Sequence, residues 1–108
     1  MYLIPVKPLS LNHAYRGRRF ETPELKAFKT EVMANLPNVV IPKGKLAVKY
    51  IFGVSSKNAD GDNLIKCLQD ALAVKYNFND RQIYFWEVAK VDVKKGEEFI
   101  GIEMTPWE

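Results

Sequence analysis

The sequence predicts an α+β fold, a mixed sheet of about four strands with two helices in a single domain, and three observations carry that expectation. Leu46, Val48, Tyr50, Phe52 and Val54 alternate with other residues at the period of a half-buried strand, and two further stretches repeat their apolar residues at helical spacing. The length of 108 residues, 47% hydrophobic and 27% charged, suits one hydrophobic core and leaves no room for a second. No Gly/Ser linker, repeat or low-complexity tract divides the chain.

The elements follow in order. Tyr2 to Val6 is a short apolar run broken by Pro5, which suits an edge strand because proline cannot donate to a central ladder. Lys7 to Phe20 is rich in Pro, Asn, Gly and Arg and reads as a loop. Thr22-Pro23-Glu24 combines an N-cap, a proline at the first helical position and an acid near the positive end of the helix dipole. Leu25, Phe28, Val32, Met33 and Leu36 then recur at helical spacing until Pro37 ends the helix. After the strand Leu46 to Val54, a second helix is expected from Asp62 or Asn63 to about Lys75, with Leu64, Leu68, Ala71 and Leu72 inward, Ile65 beside them and Asp62, Lys66 and Asp70 outward.

Asn77 to Asp80 is a polar turn and Gln82 to Val93 a long β-rich strand. A Lys95-Gly96 turn leads to a last strand near Phe99 to Met104, so the two final strands are expected to form a hairpin. Tyr84, Phe85 and Trp86 are apolar on both faces of their strand and are assigned to the core, with a dimer surface as the alternative.

Composition narrows the function classes. No run approaches the ~18 apolar residues of a membrane span, and Met1 to Leu11 lacks the charged start and apolar middle of a signal peptide, so a cytosolic location is expected. Cys67, the single cysteine, can form neither an internal disulfide nor, with one histidine, a zinc site, and it falls on the apolar side of the second helix as a core residue. The net charge of +3 is divided unevenly. Residues 1–58 hold ten Lys or Arg against three Glu, and residues 59–108 hold six against ten acids. A polyanion-binding first half and a carboxylate cluster in the second half are one reading; a solubilising surface is the other.

Candidate chemistry lies between Asn58 and Asp80. Asp60 and Asp62 are two residues apart where a loop enters a helix, and Asp80 follows that helix. If the helix packs back on the sheet, the three acids meet at one end of it and repel one another unless a proton or cation lies between them. All-oxygen ligands select a hard divalent ion, Mg²⁺ with Mn²⁺ as a substitute. Asp60-Gly61-Asp62-Asn63 is also the composition of an ordinary turn and N-cap. A calcium loop starting at Asn58 fails, with Asn63 where glycine is required and Gln69 where a bidentate Glu is required. Lys66 stands one turn after Asp62, within reach of anything the carboxylates hold, and at the spacing of a surface ion pair with Asp62 or Asp70; Asp70 is expected to be that partner rather than a metal ligand. In Tyr15-Arg16-Gly17-Arg18-Arg19-Phe20 the arginines can grip phosphates and the aromatics can stack bases, or the string is a solvated loop.

Asp60-Gly61-Asp62-Asn63-Leu64-Ile65-Lys66, then Asp70-Ala71-Leu72, then Asn79-Asp80-Arg81-Gln82-Ile83 resembles the signature of the RusA family of Holliday-junction resolvases. That pattern is D-x-D-N-x-x-K, D-x-L and D-D-x-Q-[IV]. Asn12, Tyr15, Arg18-Arg19-Phe20 and the following helix with Lys26 and Phe28 are similar to the family's opening, so the resemblance covers most of the chain. It implies a homodimeric, Mg²⁺-dependent endonuclease that resolves four-way junction DNA by paired symmetric nicks. Asp60, Asp62 and Asp80 fall on the family's essential acids, as catalytic and metal-binding residues, and Lys66 on its essential lysine. Arg16, Arg18, Arg19 and Lys57 are the expected DNA contacts. Two positions depart from the pattern: Asn79 replaces the first acid of the Asp-Asp pair, and Ser55-Ser56-Lys57-Asn58 stands where an arginine-rich run often precedes D-x-D. A non-catalytic DNA-binding module and a protein-interaction domain are the rival classes.

Overall fold

In a computed structural model, which describes residues 1–16, 20–57 and 59–108, the chain runs β1 (Tyr2–Ile4), β2 (Tyr15–Arg16), β3 (Phe20–Glu21), α1 (Pro23–Asn35), β4 (Leu46–Val54), α2 (Gly61–Tyr76), β5 (Ile83–Asp92) and β6 (Phe99–Pro106). A four-stranded sheet in the order β1-β6-β4-β5 carries the two helices, the α+β architecture expected. β4 and β5 are parallel, and β4–β6 and β1–β6 are antiparallel.

The alternation in β4 buries Leu46, Val48, Tyr50, Phe52 and Val54 on one face. They pack with Leu64, Leu68 and Leu72 of α2 and with Leu25, Phe28 and Val32 of α1 in one core. Cys67 joins it at 3% exposure, and burial raises its thiol pKa, so it is the inert core residue expected. Thr22 caps α1 by accepting from the Leu25 amide at 3.3 Å and donates to the His13 carbonyl at 2.6 Å, tying the helix start to the preceding segment. β1 lies at one edge of the sheet, where its proline neighbour is tolerated.

Four expectations need correction. The last two strands are not a hairpin, because β4 lies between β5 and β6. β4, α2 and β5 form a crossover unit that places β5 parallel on one side of β4, and the chain then passes the end of β4, where Val93 N donates to Val54 O at 2.8 Å, to insert β6 on the other side. Tyr84, Phe85 and Trp86 are not core. β5 is an edge strand, exposed at every residue after Ile83.

The supposed loop before Phe20 holds a 3₁₀ turn at Leu11–His13, and β2 pairs there with β3 through Tyr15↔Glu21. α2 starts at Gly61 rather than at Asp62 or Asn63, which makes Asp60 its N-cap residue. The helix ends at Asn77, whose left-handed conformation (φ 53°) is the usual terminus of a helix that must turn sharply.

Candidate active site

The crossover sets the site. Asp60 and Asp62 stand where β4 passes into α2, at the carboxyl ends of the two parallel strands, the end at which crossover units expose their loops to ligands. Asp60 occupies the N-cap position in extended conformation, yet its side chain makes no capping hydrogen bond. Ser10, Thr22 and Asn79, the other cap residues, all accept one from a nearby amide. The Asp60 carboxylate is thus not committed to the helix and lines an open cleft of about 770 Å³. Asn12 and Tyr15 from the N-terminal segment, Phe28 and Glu31 from α1, and Asn63 line the same cleft. Asp62 is exposed in the first turn of α2, where the positive end of the helix dipole favours an anion.

Lys66 donates to Asp70 at 2.8 Å, the partner expected from spacing. That hydrogen bond is the main cause of a raised Lys66 pKa, partly opposed by desolvation and supported by the charges of Asp70 and Asp80. The ammonium therefore stays protonated throughout the neutral range. Asp80 opens the 3₁₀ turn Asp80–Gln82, held by a capping box between Asn79 and Gln82. Its charge is felt at Lys66 and at the Tyr50 hydroxyl.

The three acids do not meet as the sequence suggested. Asp60 and Asp62 flank the first residue of α2, and Asp80 follows its last turn. At 1.5 Å per residue the helix between them is roughly 24 Å long. Among the described residues, no group of three or more His, Cys, Asp or Glu side chains is gathered to hold a metal ion. Lys57 is exposed on the turn just ahead of Asp60. Arg16 has its backbone in β2, and Arg18, Arg19 and Asn58 lie outside the described residues.

Three polar residues near the site escaped the sequence reading. Gln69 is buried on α2, and its Oε1 accepts from Trp86 Nε1 at 3.0 Å and from the Tyr50 hydroxyl at 3.3 Å, tying the helix to both parallel strands. Lys90 Nζ donates to the Ala59 carbonyl at 2.6 Å. Glu98, in the cleft, accepts from Ser55 Oγ at 2.7 Å, which lowers its pKa. The signal for Gln69 was a polar residue amid the apolar stripe of α2; the other two look like ordinary surface charges in sequence.

The family model described as Endodeoxyribonuclease RusA matches residues 5–104. The chain belongs to the RusA endodeoxyribonuclease family. Family membership carries DNA endonuclease activity of the Holliday-junction resolvase kind. A search of curated proteins found no match to the chain. The RusA match spans both the N-terminal segment that lines the cleft and the acidic residues of α2, so the cleft joins two distant parts of one family pattern. Among the described residues, no helix is long and apolar enough to cross a membrane.

Proposed function

We propose that this RusA-family chain is a divalent-metal-dependent resolvase that cuts four-way DNA junctions by paired symmetric nicks, acting in the cytosol as a homodimer. The observation that carries the catalytic reading is the Asp60 carboxylate, an N-cap side chain that caps nothing and lines a cleft shared with Asn12 and Tyr15. Its oxygen-only chemistry, together with that of Asp62, fits a hard divalent ion, Mg²⁺ or in its place Mn²⁺. Such an ion commonly takes one or two carboxylates and completes its shell with water and substrate phosphate, so Asp60 and Asp62 suffice as protein ligands. When bound there, the ion polarises the scissile phosphate and lowers the pKa of the attacking water.

The chain's own residues supply the rest. Lys66, hydrogen-bonded to Asp70 and protonated, supplies positive charge to stabilise the transition state or a proton for the leaving group. Asp80 belongs to the catalytic set by its place in the motif, and its charge supports the protonated state of Lys66. Lys57, Arg16, Arg18 and Arg19 are the residues proposed to contact DNA phosphates. Two symmetric nicks need two such sites, hence a two-fold pair. The exposed edge of β5, with Phe85, Trp86 and Val88, offers a second copy a strand to extend, and this favours the dimer alternative for the aromatic run.

The test is cleavage of a labelled synthetic four-way junction and its matched duplex in Mg²⁺, with wild type and Asp62→Asn side by side. Paired nicks confined to the junction, lost in the variant while binding persists, support the reading. Junction binding with no cuts in Mg²⁺ or Mn²⁺ refutes it in favour of a non-catalytic DNA-binding module.

A further inference from the structure

The connection from β4 to α2 is held at both ends by side chains from elsewhere in the sheet. At its start, Ser55 Oγ donates to Glu98 Oε2 at 2.7 Å, and the other Glu98 oxygen accepts from Gly96 N at 2.8 Å. At its finish, Lys90 reaches from β5 to the Ala59 carbonyl at 2.6 Å. Lys90 pairs in register with buried Phe52 of β4, so it projects on the helix side of the sheet, where the connection returns into α2.

We infer that Lys90 is a positioning residue for Asp60, acting through the Ala59 carbonyl, with Glu98 steadying the other end of the same connection. The Ala59 carbonyl and the Asp60 amide belong to one planar peptide unit, so a donor that fixes the carbonyl also fixes the plane from which Asp60 departs. Only the backbone φ of Asp60 and its side-chain torsions then remain to be set. An N-cap aspartate ordinarily restrains itself by bonding an amide of the first turn; Asp60 makes no such bond, and the Lys90 ammonium supplies the restraint from outside. The carboxylate is thereby held in place and kept available at once. A charged donor makes this hydrogen bond stronger than a neutral one would be. The inference deepens the metal-site reading above and rests on it for its catalytic consequence.

The experiment compares wild type, Lys90→Met and Lys90→Arg by three measurements. Amide hydrogen exchange at Asn63, whose N–H donates to the Asp60 carbonyl at 3.1 Å, reports the order of the helix start without any metal. Titration with Mn²⁺ alone reports the carboxylates. Metal-free binding of a four-way junction across a salt series reports phosphate contacts.

In Lys90→Met, exchange at Asn63 is expected to quicken and Mn²⁺ affinity to fall by about ten- to a hundredfold, the usual cost of removing a group that orients a metal ligand. Metal-free junction affinity and its salt dependence are expected to stay as in wild type, and Lys90→Arg is expected to restore both altered readings at least in part. Unchanged exchange at Asn63 in Lys90→Met overturns the inference. So does unchanged Mn²⁺ affinity accompanied by a loss of about one unit in the salt slope, the behaviour of a simple phosphate contact. If wild type takes up no Mn²⁺, the metal-site reading fails by itself, and exchange at Asn63 still decides the role of Lys90.

Discussion

Replacing Lys66 by alanine separates the proposed catalytic role of this residue from its part in stability. Among the described residues the lysine's ion pair is with Asp70, four residues on along the helix, with the lysine side chain 57% exposed. Pairs of this kind contribute about 0.3–0.5 kcal/mol. At roughly 4–8 °C per kcal/mol for a domain of this size, the melting temperature should fall by only about 1–4 °C. If the ammonium instead steadies charge in the transition state, its loss should lower kcat by about 10²–10³-fold, the effect of removing one such preorganised donor. The assay is single-turnover cleavage of a four-way junction in Mg²⁺, with binding followed separately in calcium or without metal. Cleavage should collapse while binding and melting barely move. A parallel fall in binding and cleavage, or cleavage within a fewfold of wild type, refutes the assignment. The Asp70 hydrogen bond raises the lysine's pKa above its ordinary value near 10.4, so the ammonium persists at every lower pH and cleavage should show no alkaline loss from this group below about pH 10.

Other outcomes follow from the same structure. Leu68→Ala, at a fully buried position on the inner face of α2, should cost about 2–5 kcal/mol in urea unfolding; a cost under 1 kcal/mol would mean that this helix face does not pack as described. If the proposed homodimer pairs through the exposed edge of β5, Val88→Lys should leave the fold intact by circular dichroism but reduce the sedimentation mass from dimer to monomer; a mass unchanged from wild type would refute pairing through this edge. Tyr2 and Tyr50 have pKa values raised chiefly by burial, Tyr2 also by its hydrogen bond to Tyr76. A raised folded-state pKa means that their contribution is complete below the unfolded value near 10 and declines as pH rises above it. Alkaline unfolding should therefore begin above about pH 10, and tyrosinate absorbance from these two groups should appear only with loss of circular dichroism; ionisation in the folded state would contradict their burial.

Much of this architecture was legible in the residues because local chemistry and tertiary position agree. Thr22-Pro23-Glu24 starts a helix for reasons contained in those residues, and the alternation from Leu46 to Val54 survives because one face of β4 meets the core. The acids could be singled out by spacing, and Lys66 with Asp70 behaves as i,i+4 geometry demands. What failed was decided by long-range pairing. A turn at Lys95-Gly96 reads the same whether it joins neighbouring strands or passes the end of a third, so the insertion of β6 beside β4 left no local mark. The aromatics of β5 look like core because apolarity on both faces signals either double burial or an uncovered edge, and only the strand order distinguishes them. Asp80 was placed with Asp60 because both adjoin the same helix, but they adjoin opposite ends of it. Lys90 was invisible for a related reason, since its partner is a backbone carbonyl 31 residues away.

The strand order also bears on when the nuclease can come into being during synthesis. β6 is made after β1, β4 and β5, yet it lies inside the sheet, between β1 and β4. Until Phe99 to Pro106 has left the ribosome, β1 lacks the strand it pairs with and β4 lacks its antiparallel partner, so β1 waits for β6. A nascent or prematurely terminated chain that already carries Asp60, Asp62 and Lys66 still lacks the finished sheet beneath them. Closure of β1 on β6 is slow, because the pairing joins residues as far apart in sequence as Tyr2 and Ile102.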